Sequence, residues 1–196
     1  MTPDEMLRAA ISLIESRKKK DARFFVAIDG GTGAGKSTLA KEIRNRLGGV
    51  AILRTDHFFR PLNEYPVASL PPEELYEHYF PWERMRDEAL IPIRRGETAR
   101  HQRYDWSADR LLDWITVEPE EIVLVEGVYS SRPELREMLD VAIFIDAPRD
   151  ERRRRVLARA PNSSSDWMTP WMAAEDWYFD HIRPRDTADL ILPSTE

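Results

Sequence analysis

The stretch Phe24-Phe25-Val26-Ala27-Ile28-Asp29-Gly30-Gly31-Thr32-Gly33-Ala34-Gly35-Lys36-Ser37 decides the fold. Its first half is a short apolar run that predicts a strand over 24–29. Its second half, from Gly30, is a complete G-x-x-x-x-G-K-[ST] phosphate loop leading into an amphipathic helix that carries Leu39, Ala40, Ile43 and Leu47. Four of the chain's eight glycines fall here. A side chain at those positions would hold a polyphosphate away from the backbone N–H groups that must cradle it. Gly30, Gly31, Thr32, Gly33, Ala34, Gly35, Lys36, Ser37 and Thr38 are therefore the residues expected to bind a nucleoside triphosphate. Lys36 can reach the β- and γ-phosphates, Ser37 can offer its hydroxyl to Mg²⁺, and the helix opening near Lys36 points its positive end at the anion.

Outward from this loop the chain reads as alternating strands and helices. Apolar runs predict further strands at 50–55, 122–125, 141–145 and 190–192, and helical patterns fall near 72–78, 82–95 and 131–139. Short strands without clean alternation imply a parallel sheet covered on both faces, an α/β fold of three layers. Before the loop, Thr2-Pro3-Asp4-Glu5 forms a capping box ahead of a helix bearing Leu7, Ala10, Ile11 and Ile14. Residues 160–166 are the one stretch that reads as flexible.

Composition narrows the function. A length of 196 residues suits one domain over 1–196. No apolar run approaches the roughly 18 residues a membrane span needs, so no membrane role is expected. The net charge of −6 argues against a nucleic-acid polymer as partner. The absence of cysteine excludes disulfides and thiolate metal sites and fits a reducing, cytoplasmic compartment. Homo-oligomerisation stays compatible with the sequence.

Ligands of open parallel sheets sit beyond the C-terminal strand ends. Asp56, Glu126 and Asp146 occupy such places. Phosphoryl transfer needs one carboxylate near Mg²⁺ and another to orient the attacking hydroxyl, which makes Glu126 and Asp56 the natural pair. Asp146 reads more simply as a cap. The run Arg152-Arg153-Arg154-Arg155, with Arg149 and Arg159, is the densest charge in the chain. On a helix Arg152, Arg155 and Arg159 fall within roughly 60° of one another, a face able to meet phosphate oxygens. Arg155 and Arg159 are the expected catalytic arginines beside Lys36 and Asp56, with Arg152 and Arg154 behind them.

From Asp56-His57-Phe58-Phe59-Arg60 onward the chain resembles the uridine/cytidine kinases and their P-loop relatives, pantothenate kinase and phosphoribulokinase. The resemblance continues at Tyr104-Asp105-Trp106, Val125-Glu126-Gly127-Val128, Phe144-Ile145-Asp146, Arg154-Arg155-Val156-Leu157 and Ala188-Asp189-Leu190-Ile191, in order over roughly 22–193. It implies a five-stranded parallel sheet ordered 2-3-1-4-5 and transfer of the ATP γ-phosphoryl group to a small-molecule hydroxyl. Asp56 would be the base and Glu126, with Ser37, the Mg²⁺-side acid. Asp56, Phe58, Tyr104, Asp105 and Arg110 would meet the acceptor in an insertion over 60–120, and 149–170 would form an arginine-rich lid. Two departures fall on acceptor recognition. Phe80-Pro81 stands where the family has Phe-Asp, and Ser107-Ala108-Asp109-Arg110 lacks the family's histidine. A pantothenate-like acid, a sugar, a nucleoside monophosphate, or a regulatory ATPase role stay open beside a nucleoside.

Overall fold

The computed structural model describes residues 1–20, 22–64, 69–159 and 165–194. Helix α1 (Pro3–Arg17) opens the chain, with the expected capping box formed by Thr2 and Glu5. Strand β1 (Phe24–Asp29) runs through the phosphate loop into α2 (Lys36–Leu47) and β2 (Val50–Arg54). A 3-10 turn (Thr55–Phe58) follows, then α3 (Pro72–Tyr79), α4 (Trp82–Met85), a π-helical stretch (Arg86–Leu90) and α5 (Ile91–Arg95). Strands β3 (Ala99–Asp105) and β4 (Arg110–Val117) come next, then β5 (Ile122–Glu126), β6 (Val141–Asp146), α6 (Arg149–Arg159), α7 (Ser165–Trp177) and β7 (Leu190–Pro193).

The main sheet is parallel throughout, in the order β2-β5-β1-β6-β7. Counting its five members alone in chain order, this is 2-3-1-4-5, as expected. Successive side chains of a strand point to opposite faces, and β1 shows the consequence. Phe24, Val26 and Ile28 pack on one face with Met6, Ala10 and Ile14 of α1 and Leu39 and Ile43 of α2. Phe25 packs on the other with an aromatic layer that includes Tyr76, Tyr79, Phe80, Tyr129, Trp171 and Tyr178.

Three local readings change. Strands β3 and β4 form an antiparallel hairpin outside the main sheet, which apolar periodicity does not announce. Its faces carry His101, Gln102, Arg103 and Asp113 among the apolar residues, so neither reads as a continuous run. The helix expected near 131–139 is a 3-10 helix, Pro133–Met138. Of the stretch read as flexible, 160–164 lie outside the described residues, and Ser165 and Asp166 open α7. Among the described residues no helix is long and apolar enough to cross a membrane.

Candidate active site

The phosphate loop is bent by its sequence and held from three sides. Below it, Asp29 ends β1 fully buried. Its carboxylate accepts from Gly30 N at 2.7 Å, Ser131 N at 2.9 Å and the Tyr178 hydroxyl at 2.7 Å. Burial pushes this carboxyl up from the usual aspartate range while the three donors pull it back. Above the loop, buried Arg152 lies on Gly31, where even a methyl group would meet the guanidinium at 2.0 Å. Arg152 donates at 2.7 Å to Glu175 of α7, which is itself fully buried. Glu175 also accepts from Thr32 N at 3.0 Å, from the Thr32 hydroxyl, and from Trp171 Nε1 at 2.6 Å. Neither Asp29 nor Glu175 was singled out as functional in the sequence. An acid on the last strand position before a phosphate loop was the available signal for Asp29. For Glu175 there was none, because the partners that tie it to the loop and to α6 lie 143 and 23 positions away.

Lys36 is buried and donates to the carbonyls of Gly30 at 2.7 Å and Gly31 at 2.9 Å. Burial pulls its ammonium down from the usual lysine range, and Glu175, Asp29, Glu126 and Asp56 oppose that pull. The cleft over the loop is lined by Lys36, Ser37, Asp56, Glu126, Gly127 and Arg159. Three sequence-predicted parts, the loop, the strand-end acids and one arginine, thus converge. Gly127 is needed where it stands. Its φ of +142° is open to few side chains, and a Cβ would fall 1.8 Å from Thr55 Oγ1.

Glu126 is 4% exposed and receives Ser37 Oγ at 3.0 and 3.1 Å and Arg54 Nε at 3.0 Å. A hydroxyl poised on a buried carboxylate is an oxygen-only donor set that suits Mg²⁺. No group of three or more His, Asp or Glu gathers among the described residues. Solvent reaches Asp56, yet the protein crowded around it and the negative Glu126 raise its carboxyl above the usual range, against Lys36 and Arg54.

Other expected residues lie elsewhere. Arg155 is absent from the cleft and packs on the outer side of the loop, donating to Gly33 O at 3.3 Å, Ser194 Oγ at 3.1 Å and Glu151 at 2.8 Å. Arg154 is paired with Glu151 at the surface. Asp146 pairs with Arg185 at 3.1 Å. Phe58 is a core residue stacked on His101 at 4.4 Å. The buried Tyr104 hydroxyl donates to Asp109 at 2.7 Å. Asp105 accepts from Ser107 N and Ala108 N in the hairpin turn, opposite exposed Arg110. None of these last four lines the cleft around Asp56. Tyr104 and Asp105 find their partners within the hairpin's own turn.

Comparison with known proteins agrees with this geometry. The model of the phosphoribulokinase/uridine kinase family matches residues 25–195. The chain belongs to that family. It is 33% identical to a uridine kinase of Clostridium perfringens (strain SM101 / Type A), the match covering 86% of each protein. It is 30% identical to the uridine kinase of Halobacterium salinarum, over 87% of this chain and 80% of that protein. A solved structure described as a possible uridine kinase from Bacillus stearothermophilus superposes with a TM-score of 0.77 at 21% identity, covering 98% of this chain and 100% of the other. That likeness shows the shared P-loop kinase fold. The chain is accordingly a kinase that transfers phosphate to a hydroxyl.

Proposed function

We propose that this kinase moves the γ-phosphoryl group of Mg-ATP to a hydroxyl of a nucleoside-like small molecule, with uridine and cytidine the first candidates. The observation that carries the reading is the convergence of Lys36, Ser37, Asp56 and Glu126 on one cleft. Asp56, at the end of β2, orients the acceptor hydroxyl and takes its proton as the new oxygen–phosphorus bond forms. The bond from the γ-phosphorus to the bridging oxygen breaks, and ADP leaves. Lys36 exchanges its two carbonyl partners for phosphate oxygens, and the loop amides hold the remainder. Arg159 is the arginine placed to screen the transferring group. Ser37 and Glu126 would hold Mg²⁺, which supplies neutralisation of charge on the phosphate oxygens. We assign acceptor selection to the 60–120 insertion and the lid to 149–170. We place the enzyme in the cytoplasm, where a chain without cysteine meets a reducing medium.

The uridine kinase relatives support a nucleoside acceptor. Pro81 favours a second reading, since it caps α4 where the family's pattern offers an aspartate for ribose hydroxyls. In that reading the acceptor is a sugar or a pantothenate-like acid. An ADP-release screen with Mg-ATP over uridine, cytidine, sugars, pantothenate and nucleoside monophosphates decides between them. Stimulation by uridine or cytidine supports the first. Absence of stimulation by any acceptor above the water background defeats the kinase assignment.

A further inference from the structure

Trp171 of α7 touches the phosphate loop with its polar atom and the turn beyond Asp56 with its ring. It is buried, and its Nε1 donates to Thr32 Oγ1 at 2.9 Å, sharing that proton with Glu175 at 2.6 Å. The ring meets Phe59, three residues after Asp56, edge-on with centroids 5.1 Å apart. It meets Trp106, in the turn of the β3–β4 hairpin, edge-on at 5.4 Å. Phe59 and Trp106 also touch each other, at 5.3 Å. Trp106 is the open end of this layer, 38% exposed where Phe59 is buried.

The peptide unit between Gly31 and Thr32 is gripped at both ends. Lys36 donates to its carbonyl at 2.9 Å, and its N–H donates to Glu175 at 3.0 Å. A peptide is planar, so its carbonyl and its N–H turn together. When Lys36 leaves Gly31 O for a phosphate oxygen, the plane loses one anchor and the bonds to α7 hold what remains. We infer, resting on the phosphotransferase reading above, that Trp171 is a positioning residue that carries phosphate occupancy of the donor loop to the acceptor side. Thr32 shifts against the indole N–H, and the ring passes the shift to Phe59 and Trp106. An interior packed at crystal density transmits such a displacement. The turn that carries Asp56 and the hairpin assigned to acceptor selection are thereby set once the triphosphate is in place.

Fluorine NMR on the full chain labelled with fluorotryptophan tests this without an acceptor, the Trp106 resonance being identified by its loss in Trp106→Phe. The probes are Mg-ATP and magnesium tripolyphosphate, with binding read by calorimetry. Both shift the Trp106 resonance of the wild type. Trp171→Phe keeps an aromatic ring in the layer and removes the N–H, and it leaves Glu175 its bonds to Arg152 and Thr32. This variant binds both probes, and its Trp106 resonance stays in place when they bind. Thr32→Val removes the same bond from the loop side and gives the same loss of the shift. The inference is overturned if both variants keep the wild-type shift, which is the result a direct contact between nucleotide and Trp106 would give. It is overturned, without recourse to any variant, if bound tripolyphosphate leaves wild-type Trp106 unmoved, and that result spares the kinase assignment. Binding of neither probe by the wild type brings down the donor-loop reading as well.

Discussion

Asp56 shows how one residue's surroundings prepare its chemistry. A carboxylate abstracts a hydroxyl proton better as its own proton affinity rises. The protein packed around Asp56 and the charge of Glu126 raise that affinity, with Lys36 and Arg54 opposing. The working form is the carboxylate, so activity is lost as pH falls through the raised value. We expect the acid limb of kcat/KM to lie above the ordinary aspartate range, in a pH–rate profile taken with the best acceptor. Asp56→Asn keeps the shape and removes the base. It should lower kcat about 10²- to 10⁴-fold with ATP affinity unchanged, and retention of wild-type kcat would exclude Asp56 as the base. Asp29, by contrast, acts on structure. Its three donors, Gly30 N, Ser131 N and the Tyr178 hydroxyl, converge on one buried carboxylate. Asp29→Asn turns one accepting oxygen into a donor, leaving at least one partner unpaired. Urea melts should show a loss of about 1–3 kcal/mol.

At the scale of elements, α7 is joined to the phosphate loop through Glu175, which meets Thr32 and Arg152 in a place with no access to water. Removing one partner of a buried pair strands the other's charge, at about 3–5 kcal/mol. Glu175→Gln should therefore lower thermal stability strongly and raise the KM for ATP, because Thr32 loses its anchor. Adding Arg152→Met removes the stranded guanidinium and should recover much of the stability but not the ATP affinity. Recovery of both would show that α7 does not hold the loop. None of this tie was legible in the sequence. Arginine periodicity put Arg152 on the same face as Arg155 and Arg159, but the acid that buries it comes from another helix. The parallel strands were legible because strands covered on both faces are apolar runs, as in Val123, Leu124 and Val125. The hairpin was not, because Arg100, Arg103 and Asp113 interrupt both strands and only residues such as Ala99, His101 and Tyr104 turn inward. The same cause explains the acceptor residues. Tyr104 and Asp105 matched a family pattern in order along the chain, yet their partners are in the hairpin's own turn.

For the whole molecule, the hairpin's attachment to the parallel sheet makes stability depend on pH. His57, on the turn after β2, meets His101 of β3 with Nδ1 and Nε2 3.3 Å apart, and His101 stacks on Phe58. Burial comes first for both, and Arg84 of α4 adds positive charge near each, joined at His57 by Arg54, Arg103 and His101 itself. Both are brought down to about 4. In the unfolded chain each titrates near 6.5. Between those values the unfolded state binds more protons, so stability rises with pH there and falls on acidification from about 6.5 toward 4. The slope is at most about 1.4 kcal/mol per pH unit for each histidine. Solvent reaches His57 in part, so its share is smaller. His101→Phe keeps an aromatic ring against Phe58 and removes one titration together with the repulsion that lowers His57. Urea unfolding at pH 7.5 and 4.5 should show the wild type losing more stability than the variant over that interval. Parallel losses would mean that the hairpin docks without sensing these protons and that carboxylates elsewhere govern the acid limb.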